Sequence, residues 1–343
     1  MEHYAGIDVS LESASICIVD DKENIVREDK AASEPAVLCK WLKDGGIELA
    51  RVGLEAGPMS QWLYAGMAKA GFPVELLETR HVRAAFQTMP VKTDRKDARG
   101  IAQLMRLGWF RSVHCKSLPA QELRALLTAR KLMQGKLQDV ERSLRGILRG
   151  FGLKVGKTSP RTFEGRILEL VAGQPVLQEV ADALLAARTV LAREFRGLDQ
   201  RIHKTARQDE RVKLLMSVPG VASIVGMAFV AAIDDPARFK FSKNVGAHFG
   251  LTPGRYQSGE TDLTGRISKC GDAGMRALLF DAAHIVLTKP VKQAGALKRW
   301  AMAIEKRAGR RRAKVALARR LAVIMHRMWV SGTPFYATKA AAA

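Results

Sequence analysis

Histidine and cysteine are scarce and scattered in this sequence, seven and four residues, with no C-x-x-C, H-E-x-x-H or H-x-x-x-H spacing. Cys17, Cys39, Cys115 and Cys270 therefore offer no zinc site, and their spacing suggests no disulfide framework. They read as small apolar residues in a reducing cytoplasm. Any metal has to be held by oxygen. Long apolar runs are missing as well. No stretch approaches the ~18 residues of a spanning helix, and the opening MEHYAGIDVS has no apolar signal-peptide core. Membrane attachment is not expected, and the cytoplasm is the expected location. Acidic residues are the minority, 34 Asp and Glu against 56 Lys and Arg, for a formal net charge of +22. A surplus of that size creates a field that attracts polyanions, of which DNA and RNA are the commonest.

What is present falls into three segments, 1–112, 113–213 and 214–343. In the first, short β-branched runs alternate with helical stretches in the order β-β-β-α-β-α-β-α-α. Three antiparallel strands followed by right-handed β-α-β crossovers predict a mixed five-stranded sheet, with the first and fourth strands side by side. In the second segment strand signals vanish. Val180, Leu184, Ala187, Leu191, Phe195, Leu198 and Ile202 step by three and four, an apolar seam on a long helix. A weaker pattern over Leu123–Leu148 supplies its antiparallel partner. The pair suits a coiled-coil hairpin and a dimer contact, or an ordinary helical bundle. In the third segment Val218-Pro219-Gly220 joins two apolar helices by a tight turn. It reads either as a helix-hairpin-helix-like phosphate contact or as a plain packing corner. Loop-rich sequence follows over Gly250–Gly259 and then Gly265–Gly271, and two helices are expected to close a mostly α-helical domain. Between Lys298 and Arg320 stand ten basic residues and one acid, Glu305, a ratio that favours a polyanion contact.

Four carboxylates carry the chemistry. Asp8 ends the first strand and Glu55 the fourth, so on this topology they project together at the C-terminal edge of the sheet, a usual place for functional groups. Asp94 and Asp97 stand three apart at the start of a helix, on one face. Each has a plainer reading: Asp94 as an N-cap, Asp97 as a partner of the helix dipole, Asp8 as a turn residue. Glu55, a strand-end acid beside glycine, has no routine structural task. Four clustered carboxylates repel unless cations neutralise them, and hard oxygen ligands select Mg²⁺ or Mn²⁺. Two such ions activate a nucleophile and stabilise the leaving oxygen in phosphoryl transfer.

The segments Gly6-Ile7-Asp8, Leu54-Glu55-Ala56-Gly57 and Lys92-Thr93-Asp94-Arg95-Lys96-Asp97-Ala98 resemble the D-E-D-D signature of the insertion sequence 110 transposases. That family includes the pilin-gene inverting recombinases. Val218-Pro219-Gly220, Phe249-Gly250-Leu251-Thr252-Pro253 and Ser268-Lys269-Cys270-Gly271 resemble its C-terminal block, so the likeness covers nearly the whole chain. The resemblance implies an N-terminal domain similar to RuvC, of RNase H-like fold. It implies a DNA transposase or site-specific recombinase using two Mg²⁺ ions held by Asp8, Glu55, Asp94 and Asp97. It also implies a bridge RNA that pairs with target and donor DNA.

In that family a nucleophilic serine lies in a loop reading R-Y-x-S-G, which maps it to Ser258 in Arg255-Tyr256-Gln257-Ser258-Gly259. As a bare pattern Ser-Gly is a turn. A serine hydroxyl is a weak nucleophile at its free pKa and needs a base or metal to act. A phosphoserine link would conserve the energy of the broken phosphodiester. Ser268 is the nearest rival, in a phosphate-binding or capping role. Arg255, Arg266 and Lys269 are the expected contacts to the nucleic-acid backbone. Recombination needs at least two active centres, so a homodimer or dimer of dimers is expected. Three other readings stay open. A metal-dependent junction nuclease needs the acids but not Ser258. A sugar-kinase-like ATPase should show glycine-rich phosphate loops and a duplicated domain, neither evident here. A non-catalytic RNA-binding protein should tolerate Asp8→Asn.

Overall fold

The computed structural model describes residues 1–87 and 91–336. The chain divides into two compact units, Met1–Lys116 and Ser117–Ala343.

In the first unit β1 (His3–Val9), β2 (Ser13–Asp20) and β3 (Ile25–Ala32) form an antiparallel meander. The turn between β2 and β3 is built by Asp20, whose carboxylate accepts from the backbone N–H of Lys22 and Asn24 at 2.9 and 2.8 Å. Helix α1 (Pro35–Asp44) leads to β4 (Leu49–Glu55), and α2 (Ser60–Lys69) to β5 (Val74–Leu77). Helices α3 (Thr79–Phe86) and α4 (Asp94–Leu107) complete the unit. The sheet order is β3-β2-β1-β4-β5, with β1, β4 and β5 parallel. The expected mixed sheet is found, and β1 does adjoin β4.

Period-two alternation sorts the strands onto two cores. Ala5, Ile7, Ala14, Ile16, Ile18, Val52 and Leu54 face α1 and α2. Tyr4, Cys17, Val19 and Leu77 face α4, which contributes Ala98, Ile101, Ala102 and Met105. Helix α4 can lie this close because Gly6 and Gly53 are register partners on its face. A Cβ on Gly6 would sit 2.2 Å from the backbone of Ala98 and Ala102, and one on Gly53 2.7 Å from Ile101 and Met105 side-chain atoms.

In the second unit α5 (Leu118–Gly150) and α7 (Pro175–Gln208) pack together. Arg130 pairs with Asp199 at 2.6 Å and Arg188 with Glu141 at 2.8 Å, a pairing of early with late positions that makes the helices antiparallel. The seam read from sequence holds from Leu191 to Ile202, but nearer the N-terminus Ala187 is exposed. There the buried positions are Leu177, Ala181, Leu185 and Arg188. The stripe rotates because α6 (Phe163–Val171) covers this end of α7 with Phe163, Ile167 and Val171.

The rest comprises α8 (Glu210–Met216), α9 (Ser223–Ile233), α10 (Asn244–His248), the hairpin β6 (Pro253–Ser258) and β7 (Thr261–Ile267), then α11 (Ala273–Thr288), α12 (Gly295–Ala308) and α13 (Arg310–Ser331). Ile202 and Ala206 of α7 belong to the core of this region, and Leu123, Leu126 and Leu127 of α5 pack against it. Two expectations fail here. The stretch expected to be loop contains a two-stranded hairpin, and among the described residues three helices rather than two follow it. Gly309, at φ +83°, breaks the basic stretch into α12 and α13. At Val218-Pro219-Gly220 the first two residues are buried, and Gly220 (φ +82°) lies so close to α11 that a Cβ would be 2.7 Å from the Ala282 carbonyl oxygen.

Candidate active site

Register across the first sheet assembles the site. Asp8 pairs with Ser15 on β2, and Ser15 with Lys30 on β3. On the other side Ile7 pairs with Leu54, so Asp8 and Glu55 follow as neighbours, and Glu55 pairs with Leu77 on β5. The row Lys30, Ser15, Asp8, Glu55 therefore runs straight across the sheet on the α4 face. Two residues back lies the row Glu28, Cys17, Gly6, Gly53, Glu75, on which α4 rests. From Gly6 to Asp8 the strand advances ~6.6 Å, and from Ala98 back to Asp94 the helix covers ~6 Å. The first turn of α4 thus arrives over Asp8 and Glu55, bringing Asp94 and Asp97.

That turn is held by two devices. Thr93, not Asp94, is the N-cap, its hydroxyl accepting from the Lys96 N–H at 3.2 Å. Glu28 accepts from Arg99 Nε and a terminal guanidinium nitrogen at 2.6 and 2.8 Å and also pairs with Arg95. The Arg99 hydrogen bonds, reinforced by Arg95, hold the Glu28 carboxyl down to about 2. Freed from capping, Asp94 stands outward with its side chain 63% exposed, next to Lys30 at 3.6 Å. Asp97 turns inward, its side chain 12% exposed, with Lys92 at 3.7 Å.

Asp8 and Glu55 are half-buried between these groups. Burial, then the charges of Asp97 and Asp94, push the Asp8 carboxyl above its usual range, against the pull of Lys92 and Lys30. Burial and Asp8 do the same to Glu55, with Asp97 adding to the shift and Lys92 opposing it. Asp8 thus senses Asp97 and Asp94, and Glu55 senses Asp8 and Asp97, with the two strand-end acids half-buried. Lys30 and Lys92 supply partial counter-charge in the side-chain positions seen here. Among the described residues no three His, Cys, Asp or Glu side chains close tightly enough to grip a metal ion. The structure brings the four carboxylates to one edge without closing them into a cage. The donor set is all oxygen and repels itself, which fits a hard divalent cation. A second observation points the same way: the Ser15 hydroxyl is buried and finds no hydrogen-bond partner among the described residues.

Sequence reasoning missed Glu28, Lys30 and Ser15. Their place in the site comes from the register of β2 and β3, which local sequence does not carry. Lys92 and Arg95 were in view inside the acidic motif, and alternating charge in Lys92-Thr93-Asp94-Arg95-Lys96-Asp97 was the available signal.

In the second unit Ser258 ends β6 at the hairpin tip, paired with Thr261 across Gly259 (φ +55°) and Glu260. Every residue of both strands is exposed except Ile267, which is half-buried. The face carrying Ser258 also carries Tyr256 and Leu263, register partners 65% and 62% exposed. Arg255 lies on the other face, bound to Asp262 at 2.7 and 2.6 Å. Arg266 and Lys269 are exposed. Ser268 accepts from the Cys270 N–H at 3.4 Å, a turn contact. The motifs around Gly250 and Gly271 root the hairpin through a close backbone crossing. A Cβ on Gly250 would fall 2.2 Å from the Cys270 oxygen and one on Gly271 2.0 Å from the His248 oxygen. Arg276 spans the crossing, donating to the carbonyls of Phe249 and Cys270 at 3.0 and 3.1 Å.

Comparison with known proteins gives two family matches. Residues 5–152 match the IS110-type DEDD transposase family, described as "Transposase", and residues 212–299 match the family described as "Transposase IS116/IS110/IS902 family". The chain is similar to the transposase for insertion sequence element IS1111A of Coxiella burnetii, 25% identical over 327 residues, 93% of this chain and 87% of that one. It is also similar to the transposase for insertion sequence element IS1328 of Yersinia enterocolitica, 24% identical over 83% of this chain and 85% of that one. A probable family 20 transposase of Pseudomonas aeruginosa is 25% identical over 80% and 82% of the two chains.

Proposed function

This chain belongs to the IS110/IS116/IS902 family of transposases, enzymes that process DNA, and from that premise we propose that it is a site-specific recombinase that breaks and rejoins strands through Ser258. The observation that carries this reading is the convergence of Asp8, Glu55, Asp94 and Asp97 on one sheet edge under α4, with the two inner acids pushed up by burial and by their neighbours.

The DEDD transposase domain suggests divalent metal use. In our reading the metal is Mg²⁺, as two ions, with Mn²⁺ as a substitute, and Asp8, Glu55, Asp94 and Asp97 hold it. When bound it supplies Lewis-acid stabilisation of charge on the reacting phosphate and its leaving oxygen. The protein's own groups do the rest. Glu28, Arg95 and Arg99 fix the first turn of α4, so that Asp94 and Asp97 stay above the strand ends. Ser258 Oγ attacks the scissile phosphorus. An Oγ–P bond forms, one P–O bond of the phosphodiester breaks, and the serine proton leaves with the departing strand end as a hydroxyl. Attack by another strand's hydroxyl reverses these steps, restores the serine proton and needs no ATP. Segment 1–112 is the catalytic part, 113–213 a coiled-coil connector suited to a dimer contact, and 214–343 the part that presents the serine and binds nucleic acid. Arg266 and Lys269 are contacts to the DNA or RNA backbone, with Arg255 available only if it leaves Asp262. A bridge RNA as guide accords with the charge of +22, and pairing by RNA removes the need for a base-reading module. The reaction belongs in the cytoplasm, and among the described residues no helix is long and apolar enough to cross a membrane.

The test is capture of a covalent protein–DNA adduct on a family end sequence supplied with the element's own RNA and Mg²⁺. The wild type should form the adduct, and Ser258→Ala, Asp8→Asn and Asp97→Asn should not. Cleavage by Ser258→Ala without an adduct would instead establish a junction nuclease.

A further inference from the structure

The acidic row contains one group that the reading above does not use. Ser15 lies on β2 directly opposite Asp8, on the same face of the sheet, with Lys30 beyond it on β3. It is 4% exposed, and its hydroxyl has no hydrogen-bond partner among the described residues. Further into the strand on this face Cys17 and Val19 are fully buried against α4, and only Ser13, half-buried at the strand's start, is also polar. An alanine or cysteine here would satisfy packing alone. Leaving a buried hydroxyl unpaired is costly, so its presence calls for a partner in another state of the site. Antiparallel register partners hold their Cβ atoms about 4.5–5.5 Å apart. A rotation about one side-chain bond in Ser15 or Asp8 therefore suffices to bring the hydroxyl within hydrogen-bond reach of the carboxylate. No other uncharged donor stands in the row: its remaining members are Lys30, Glu55 and Leu77.

We propose that Ser15 is a positioning residue for Asp8. Its hydroxyl donates to the carboxylate oxygen that faces away from the metal, and so fixes which oxygen Asp8 presents. The hydroxyl is poised in the metal-free protein and takes up its partner when Asp8 turns to its ligand. It touches neither DNA nor the reacting atoms. This inference rests on the reading of Asp8 as a metal ligand.

The experiment uses the full chain without nucleic acid and has two readouts. Calorimetric titration with Mn²⁺ gives affinity, and thermal melting in a chelator gives metal-free stability. Ser15→Ala should weaken Mn²⁺ binding about tenfold, within the range for loss of a group that orients a ligand. It should leave the metal-free midpoint unchanged or raised, because a costly orphan has been removed. Ser15→Thr, which keeps the hydroxyl, should recover most of the affinity, whereas Ser15→Cys, of similar size but a weak donor, should not. Unchanged affinity in Ser15→Ala would overturn the proposal. So would a lowered metal-free midpoint, which marks a structural hydroxyl, or equal affinities for the Thr and Cys variants, which mark packing. Asp8→Asn separates the two levels. If it abolishes Mn²⁺ binding while Ser15→Ala does not weaken it, only the role of Ser15 fails; if it binds Mn²⁺ normally, the ligand assignment fails and takes this proposal with it.

Discussion

Replacing Asp8 by asparagine should make the metal-free protein more stable while abolishing strand cleavage. Asp8 and Glu55 sit on adjacent parallel strands one residue beyond the Ile7–Leu54 pair, at a strand spacing of about 4.8 Å. Two unit charges at that distance repel by about 0.9 kcal/mol in water and about 3.5 kcal/mol at an effective dielectric of 20. Both groups are half-buried, and Lys30 and Lys92 offset part of the repulsion. The net gain on removing one charge is then about 1 kcal/mol, or a rise of roughly 4 °C in the melting midpoint of a unit this size. The sign follows from the titration. A carboxyl pushed up in the folded state destabilises the fold once it ionises, so the gain is present at pH 7–8 and disappears as pH falls below the ordinary carboxylate range. Melting of wild type and Asp8→Asn in chelator at pH 7.5, and again at pH 4, checks both statements. In Mn²⁺ at 100 times its dissociation constant the wild type should gain about 2.7 kcal/mol and the variant nothing. A lower metal-free midpoint for Asp8→Asn, or equal gains from Mn²⁺, would refute the reasoning.

Other substitutions probe the scaffold and the nucleophile. Ser258→Ala should abolish the covalent adduct and rejoining without shifting the melting midpoint by more than about 1 °C, since the side chain is exposed and surface changes are usually worth under about 0.5 kcal/mol; a gel assay and a melt decide it. Glu28→Gln should lose about 1–2 kcal/mol at pH 7, the worth of charge-assisted bonds discounted for the exposed outer arginine. Because the Glu28 carboxyl is held down to about 2, its contribution is full above the ordinary glutamate range and fades as pH falls through about 2. The variant should therefore show a flatter acid limb in a stability–pH profile. Gly6→Ala should cost about 3 kcal/mol, the upper end for overpacking, because the new Cβ meets helix backbone at 2.2 Å. Gly53→Ala should cost about 1 kcal/mol by the same principle, because it meets the side chains of Ile101 and Met105, which can shift. Denaturant melts that rank the two the other way would show that α4 is not held by backbone contact at Gly6.

Much of the first unit's sheet was legible because local pattern and global fold agree there. The runs around Ile7, Ile16 and Leu54 alternate cleanly, glycine and asparagine mark the turns, and the β-α-β rule then sets β1 beside β4. The acids at the strand ends followed from that topology. What pairs with them did not: Lys30, Ser15 and Glu28 reach the site through cross-strand register, which depends on where the turns begin and end. The Ser258 hairpin was illegible for a different reason. Its strands are exposed on both faces, so Arg255-Tyr256-Gln257-Ser258 shows no buried face to alternate against. The seam of α7 was legible only beyond the reach of α6, because the turn of the stripe toward Leu177 and Ala181 depends on that short helix, which the glycines around it obscured. Gly309 was visible in the sequence, but a single glycine within a basic helical run does not announce a break until its φ is known.

The central claim is that the carboxylates of Asp8, Glu55, Asp94 and Asp97 share two divalent cations, and crystals of the full chain grown with Mn²⁺ test it most directly. Anomalous scattering at the manganese edge should place density among these four side chains, with Lys30 and Lys92 withdrawn from Asp94 and Asp97. Manganese located elsewhere, with both lysine–aspartate pairs intact at saturating metal, would contradict the account.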